Sequence, residues 1–376
     1  MKAGQALLLA AFILAILLPL IPALLYLLGS EGGAVLHVPS DRDDDARHFS
    51  KKLKRMVDEE WMRPQLQAQA LAIDASTRNT ASGSQGRFLE VASAEPLRHT
   101  LPTAVARLPG LPGFRLPAEG RIAILSALQS VPGDTVWLGD AYSRNDIEVH
   151  KGATLRTLRS DGHCLLHPQA QLLRWVDARS LYVMGPATLP PRTTASHKIS
   201  LSTGIGFERI AAPTIEILDL PDGEKTSPSP AMPAVPDIEV WRLQADDESV
   251  IGRKIFDDDV FIGDGSVLRF DLICHGDLHL GADSQITGNI KVHGQLYMHP
   301  NVRIQGHVFC ENDAVLNQDC HVDGVLSCLG KLDVGPACTL GTPGHATSVL
   351  ASELVLRPGV CIHGQVWARD TGVTHA

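Results

Sequence analysis

The chain has 376 residues and a net charge of −9, with 20% charged residues, 5% aromatic residues and 33 glycines. The acidic balance excludes an extended nucleic-acid surface, which needs clustered Lys and Arg to displace counterions; the basic run Lys51 to Arg55 is too short to supply one. Few aromatics and much glycine suit thin, repetitive β-structure better than a broad globular core.

After a short tail (1–5), residues 6–28 read ALLLAAFILAILLPLIPALLYLL, 23 residues without a charge. As a helix this run spans the roughly 30 Å hydrocarbon layer of a bilayer. It exceeds the ~7–15 apolar residues of a cleaved signal peptide, so a retained single transmembrane helix is expected. No Cys lies nearby to carry a lipid, and a membrane span tolerates kinks at Pro19 and Pro22. Residues 29–45 form an acidic spacer. Over 46–63, Phe49, Leu53, Met56, Val57 and Trp61 recur at helical spacing, with Asp45 or Ser50 available as cap and Pro64 closing the run. This amphipathic helix is expected on the membrane surface or against a β-body. Residues 64–120 are rich in Gly, Pro, Ser and Thr and end in LPGLPGFRLPAEG, which reads as a linker with little regular structure.

Two stretches, 121–218 and 250–367, share one template: apolar-x-apolar, three turn residues, then small-x-apolar. In the second stretch it starts at Val260, Leu278, Leu296, Ala314 and Leu332, 18 residues apart, and again at Leu354 after an insertion within 342–352. In the first it starts at Ile147, Cys164, Leu181 and Ile199, with spacings of 17, 17 and 18. Alternation keeps the apolar residues on one face of each short strand, and the break turns the chain before the same inward face resumes. Each unit therefore makes one triangular coil, and the fold class is all-β: a parallel triangular β-helix in two arrays. Coils stacked about 4.8 Å apart give the core ladders Ile286, Ile304, Val322, Leu340 and Leu280, Met298, Leu316, Val334. Gly276, Gly288, Gly294, Gly306, Gly324 and Gly330 recur at corners, where positive φ is expected. Pro221, Pro228, Pro230, Pro233 and Pro236 mark 219–249 as an insertion or linker; the β-helix either continues through it or restarts after it. Residues 368–376 read as a tail.

The segment ITGNIKVHGQLYMHPNVRIQGHVF, residues 286–309, resembles the bactofilins, bacterial polymer-forming cytoskeletal proteins, and the close similarity extends over about 260–341. The resemblance implies a right-handed triangular β-helix that polymerises end to end without nucleotide, often at the membrane, as a scaffold for cell shape or envelope synthesis. The long first array, the Pro-rich insertion and the late insertion depart from the small members of that family. The competing resemblance is to left-handed hexapeptide-repeat acyltransferases, because aliphatic or Cys residues fall every six positions from 280 to 340. Against it, glycine falls two places after the aliphatic residue, as in Ile286-Thr-Gly288 and Ile304-Gln-Gly306, and the 17-residue spacings break a six-fold rule.

Eight histidines lie in the second array: His275, His279, His293, His299, His307, His321, His345 and His363. His275 and His293 share an outward column, but two ligands are too few for a closed zinc site and no carboxylate or Cys ladder is expected to join them outside. Solvated surface histidines are expected, with no metal, catalytic or cofactor site. Cys274, Cys310 and Cys328 share the column of Val292, and Cys320 and Cys338 that of Ser284 and Val302; all read as small core residues. Asp257, Asp258 and Asp259 are expected to solvate a turn. The expected function is a membrane-anchored, self-assembling β-helical scaffold of an envelope-related or cytoskeletal complex, partnered by itself, by the membrane through 6–28 and by a membrane or envelope-synthesis enzyme. The alternatives are an acyltransferase acting on an envelope sugar or precursor and a non-polymerising adaptor. The expected location is the bacterial inner membrane. Charges flanking the span conflict over orientation, and seven cysteines, an odd number, favour a cytoplasmic body with the periplasm left open.

Overall fold

The computed structural model describes residues 47–65, 88–90, 122–125, 129–218, 229–232, 240–241 and 252–375, and the chain from Phe49 onward forms one compact unit. The tail 1–5, the expected span at 6–28 and the spacer 29–45 lie outside those residues. Among the described residues no helix is long and apolar enough to cross a membrane.

The body is a β-helix of about 12 turns, built from short parallel strands. A coil of the second array shows the construction. Ile290–Val292, Leu296–Met298 and Arg303–Ile304 are three strands on three faces. Each pairs in parallel with its equivalent 18 residues on: Ile290 with Val308, Leu296 with Ala314, Arg303 with His321. Inward side chains from all coils merge into a single buried core that runs through both arrays. In the first array the strands are longer and bend around corners. Val136–Ser143, Thr154–Ser160 and Gln171–Val183 each cover more than one face, with register shifts where they turn. Such shifts let a strand bend without ending.

The second array restarts after the insertion and runs back towards the first. The last strand of the first array, Ile205–Ile217, pairs antiparallel with the last strand of the chain, Cys361–Thr374. Pairing covers all three faces: Gly206 with Val373, Ile210 with Val366, and Ile215 with Ile362. Thr374 fastens the seam, its hydroxyl donating to Ser202 O at 2.7 Å and accepting from Ile205 N at 2.9 Å. Two coils that advance towards each other circulate oppositely when viewed from one end only if they have the same hand. Antiparallel pairing around the whole seam therefore means that both arrays share one hand.

The second array therefore begins at its end far from the seam, and the described residues between the arrays lie against it. Ser229 donates to Gln318 at 3.4 Å, and Val240–Trp241 pairs with Phe261 and Ile262 in the first complete coil. Three other segments differ from the sequence reading. Phe88–Glu90, within the stretch read as linker, is a strand paired with Ile122–Ile124. The stretch read as a tail from 368 is strand to Thr374, because the seam supplies its hydrogen bonds. The insertion at 342–352 reduces to a tight turn, Thr342 bridged to His345, before the strand Thr347–Leu356 resumes the ladder.

The amphipathic segment is a helix, α1 (His48–Met56), continued by a π-helical turn, Val57–Met62. Leu53 and Val57 bury against Ile122, Ile124 and Tyr142 on the outer face of the first array, with Met56, Trp61, Met62 and Trp175 at the margin.

Candidate functional site

The ladder residues stand directly over one another. Ile286, Ile304, Val322 and Leu340 are register partners in turn, as are Leu280, Met298, Leu316 and Val334. All eight are buried.

The corner glycines have a different reason from the one expected. None of Gly276, Gly288, Gly294, Gly306, Gly324 and Gly330 has positive φ. Each instead lies against the coil beneath. A Cβ on Gly288 would stand 2.1 Å from Phe270 O, on Gly306 2.2 Å from Gly288 O, and on Gly324 2.4 Å from Gly306 O. At Gly276, Gly294 and Gly330 it would meet a carboxylate oxygen of Asp259, Asp277 or Asp313 at 2.3–2.4 Å. The left-handed conformation falls in the three-residue break, in one column: Gly265, Asp283, Asn301, Asp319, Ala337 and Gly359, at φ +58 to +77. Asn and Asp adopt that conformation more readily than other side chains, which is why this column needs few glycines.

Those aspartates also work as backbone acceptors. Asp259 accepts the N–H of Asp277 at 2.7 Å, Asp277 that of Gln295 at 2.7 Å, and Asp313 that of Lys331 at 2.8 Å. Asp259 is thus a member of a corner ladder rather than only a solvated turn residue. Cysteine has a matching role inside. Cys320 Sγ donates to His299 O, Cys338 Sγ to Asn317 O, and Ser284 Oγ in the same column to Gly263 O, always 21 residues back. The small residue of the template thereby satisfies a buried turn carbonyl of the previous coil. All seven cysteines are free thiols. Burial pushes Cys164 up to about 12 and Cys274 to about 11, so both are inert as nucleophiles.

A polar network joins α1 to the first array. Arg159, 6% exposed, bonds Asp177, 1% exposed, at 2.5 Å and Ser50 Oγ at 3.0 Å. Asp177 also accepts from Thr194 at 2.7 Å. Asp161 accepts from Lys54 and from Tyr142, each at 2.7 Å. Burial raises the Asp161 carboxyl, but the bonds from Lys54 and Tyr142 outweigh it and hold it below its ordinary value. Burial and the bond to Asp161 push the Tyr142 phenol up. This is docking chemistry, although Asp161 also lines an open surface pocket beside Asp146, His163 and Arg179.

Among the described residues, three outward groups bring two imidazoles together. His275 and His293 stack at 4.8 Å between ring centres, and Glu311, one coil further, reaches His293 Nδ1 at 2.9 Å. A carboxylate therefore does extend that column, contrary to the sequence reading, because position 311 is one coil beyond 293. His279 and His299 pack with Phe261, and His279 with Tyr297; burial lowers both imidazoles, with the neighbouring His299 adding to the effect at His279. The third group lies in the first array. Glu148, His150 and His167 bring their ligand atoms within 4.8 Å of one another. Glu148 Oε2 stands 3.4 Å from His167 Nε2 and 3.9 Å from His150 Nε2, and the two rings stack at 4.6 Å. The sequence reading passed over it by searching the second array for histidine columns. The signal was present: 150 and 167 differ by one 17-residue coil, and 148 shares the outward side of 150.

No protein-family model, curated protein or solved structure matches the chain.

Proposed function

We propose that the chain is a membrane-anchored scaffold: a right-handed, bactofilin-like β-helix, tethered through residues 6–28 at a bacterial inner membrane with its body on the cytoplasmic side. It assembles through its ends to organise an envelope-related or cytoskeletal complex. The observation that carries this reading is the seam between the two arrays. There, two end coils stack through backbone hydrogen bonds on all three faces, which is the type of contact an end-to-end assembly needs. At the opposite extremes, Ser130–Val131 in the first array and Arg253–Phe256 and Val267–Leu268 in the second each pair with one neighbour among the described residues, and Ile255 is 56% exposed; Phe88–Glu90 and Val240–Trp241 lie on the other strands of these first coils.

The test uses the full chain, purified in detergent without nucleotide. Electron microscopy and sedimentation velocity over a wide concentration range are expected to show filaments or large oligomers one β-helix wide, and a map of them reads the hand directly. A single monomeric boundary at every concentration removes the assembly and leaves the adaptor reading, for which a membrane enzyme retained in stoichiometric amount is the corresponding observation.

A further inference from the structure

We propose that Glu148, His150 and His167 form a binding site for a divalent transition metal of the zinc class, with water in the fourth position. The proposal is independent of the scaffold reading. Its basis is how the fold fixes three donors of the right kind. Glu148 and His150 flank the inward Val149 on the strand Ile147–Val149, so both point outward on the same side. His167 lies one coil above His150, and the backbone locks that register: Val149 pairs with Leu166, and His167 N donates to Val149 O at 3.0 Å. The coil beneath is held likewise, His150 N donating to Val131 O at 3.0 Å. The donors therefore come from a rigid ladder rather than from a mobile loop.

The distances suit a metal. Ligands about 2.0–2.1 Å from a tetrahedral zinc ion lie about 3.4 Å from one another. Here the carboxylate oxygen is 3.4 Å and 3.9 Å from the two imidazole nitrogens, all three donors lie within 4.8 Å, and the stacked rings have to turn for their in-plane lone pairs to converge on one ion. Two imidazoles and a carboxylate are a donor set that holds zinc with one position open. In the same outward column Pro132 lies below His150 and Met184 above His167, and neither supplies an oxygen or nitrogen donor from its side chain. The fourth position accordingly faces solvent. Among the described residues no other three His, Cys, Asp or Glu donors gather as closely. The His275–His293–Glu311 column is thus a built-in control: similar residues, without that convergence.

A simple ion pair between Glu148 and protonated histidines would hold the same geometry, and metal binding separates the two. Zinc requires neutral imidazoles, so binding releases protons and weakens as pH falls below the histidine range. Titration calorimetry of the untagged full chain with zinc chloride is expected to give one equivalent per chain, with heats that depend on the buffer's ionisation enthalpy. Cobalt(II) is expected to develop the intense visible absorption of a four-coordinate site. His150→Ala and His167→Ala are expected to abolish both signals, Glu148→Gln to weaken affinity at least tenfold, and His293→Ala to change neither. Melting of each variant in EDTA at the wild-type temperature shows that the fold survives. Absence of saturable zinc binding in the wild type, or binding that persists in the His150→Ala/His167→Ala double variant, overturns the proposal.

Discussion

Replacing Gly306 distinguishes close approach of coils from backbone conformation as the reason for the corner glycines. A methyl group at 306 would lie 2.2 Å from Gly288 O, whereas a carbon and an oxygen settle no closer than about 3.3 Å. The coil must rise locally by about 1 Å. Three hydrogen bonds cross that corner: Gln305 N to Ile286 O and Ile290 N to His307 O, each 2.8 Å, and His307 N to Asn289 Oδ1 at 2.9 Å. Stretched by about 1 Å they pass the ~3.2 Å limit of a useful bond. At a net ~0.5–1.5 kcal/mol each, their loss costs about 3 kcal/mol. Reduced freedom of the unfolded chain returns ~0.4–1 kcal/mol, leaving Gly306→Ala destabilised by about 2 kcal/mol. Asparagine decides the matter, because it tolerates positive φ but carries a Cβ: Gly306→Asn is expected to be at least as damaging as alanine. Ala337→Gly, at φ +58, is expected instead to stabilise by up to about 1 kcal/mol. The assay is urea unfolding of the full chain in detergent, read by circular dichroism. A Gly306→Asn midpoint equal to wild type would refute the close-approach account.

Ile304→Asp buries an unpaired carboxylate between Ile286 and Val322, and a loss above about 4 kcal/mol is expected in the same assay; near-normal unfolding would show that the ladder register is wrong. Arg159→Ala removes the 2.5 Å ion pair to Asp177, which is 1% exposed, together with the bond to Ser50, for which a loss of about 3 kcal/mol and faster amide exchange in α1 are expected. Exchange unchanged in α1 would detach the network from helix docking. Asp161 ionises below its ordinary value, so its contribution to stability is present above the unfolded carboxylate range near pH ~4 and disappears as pH falls through the folded value. Stability–pH curves of wild type and Asp161→Asn are therefore expected to converge below about pH 4; a constant difference across the acid range would contradict the assignment.

The repeat was legible because a β-helix writes its geometry as a period. Inward positions such as Ile286 and Ile304 recur at coil length, and the alternation around them defines the strands. What period cannot express is contact between coils. The corner glycines were placed correctly in the coil but given the wrong cause, since a Cβ clash with Gly288 O or with the Asp313 carboxylate depends on the coil beneath. The reversal of the second array left no local trace either, because Ile205–Ile217 and Cys361–Thr374 carry the same inward alternation whichever way a partner runs. Phe88–Glu90 is too short to show alternation, and only its pairing with Ile122–Ile124 makes it a strand. The Glu148 cluster was readable once 17 residues was taken as a full coil.

The reversal also restricts how such a molecule meets another copy of itself. In a single array the two ends differ, one presenting the first coil and the other the last. Here both last coils are consumed in the seam, and among the described residues each remaining end is a first coil that already carries one added strand, Phe88–Glu90 or Val240–Trp241. An end-to-end contact would therefore join first coils and has to include or displace those added strands. Because the two arrays share a hand and each advances away from its exposed edge, the strands across such a contact run antiparallel, as they do within the seam. The ends are not chemically equal: the first-array edge carries Ser130–Val131, whereas Arg253–Phe256 opens the second with Ile255 56% exposed. Contacts between like ends close after two copies by two-fold symmetry, whereas contacts between unlike ends propagate along the column. Growth into a filament thus requires either both like-end contacts or the unlike-end contact, and Ile255→Lys is expected to cap every mode that uses the second-array end, read by sedimentation velocity as loss of species larger than a dimer.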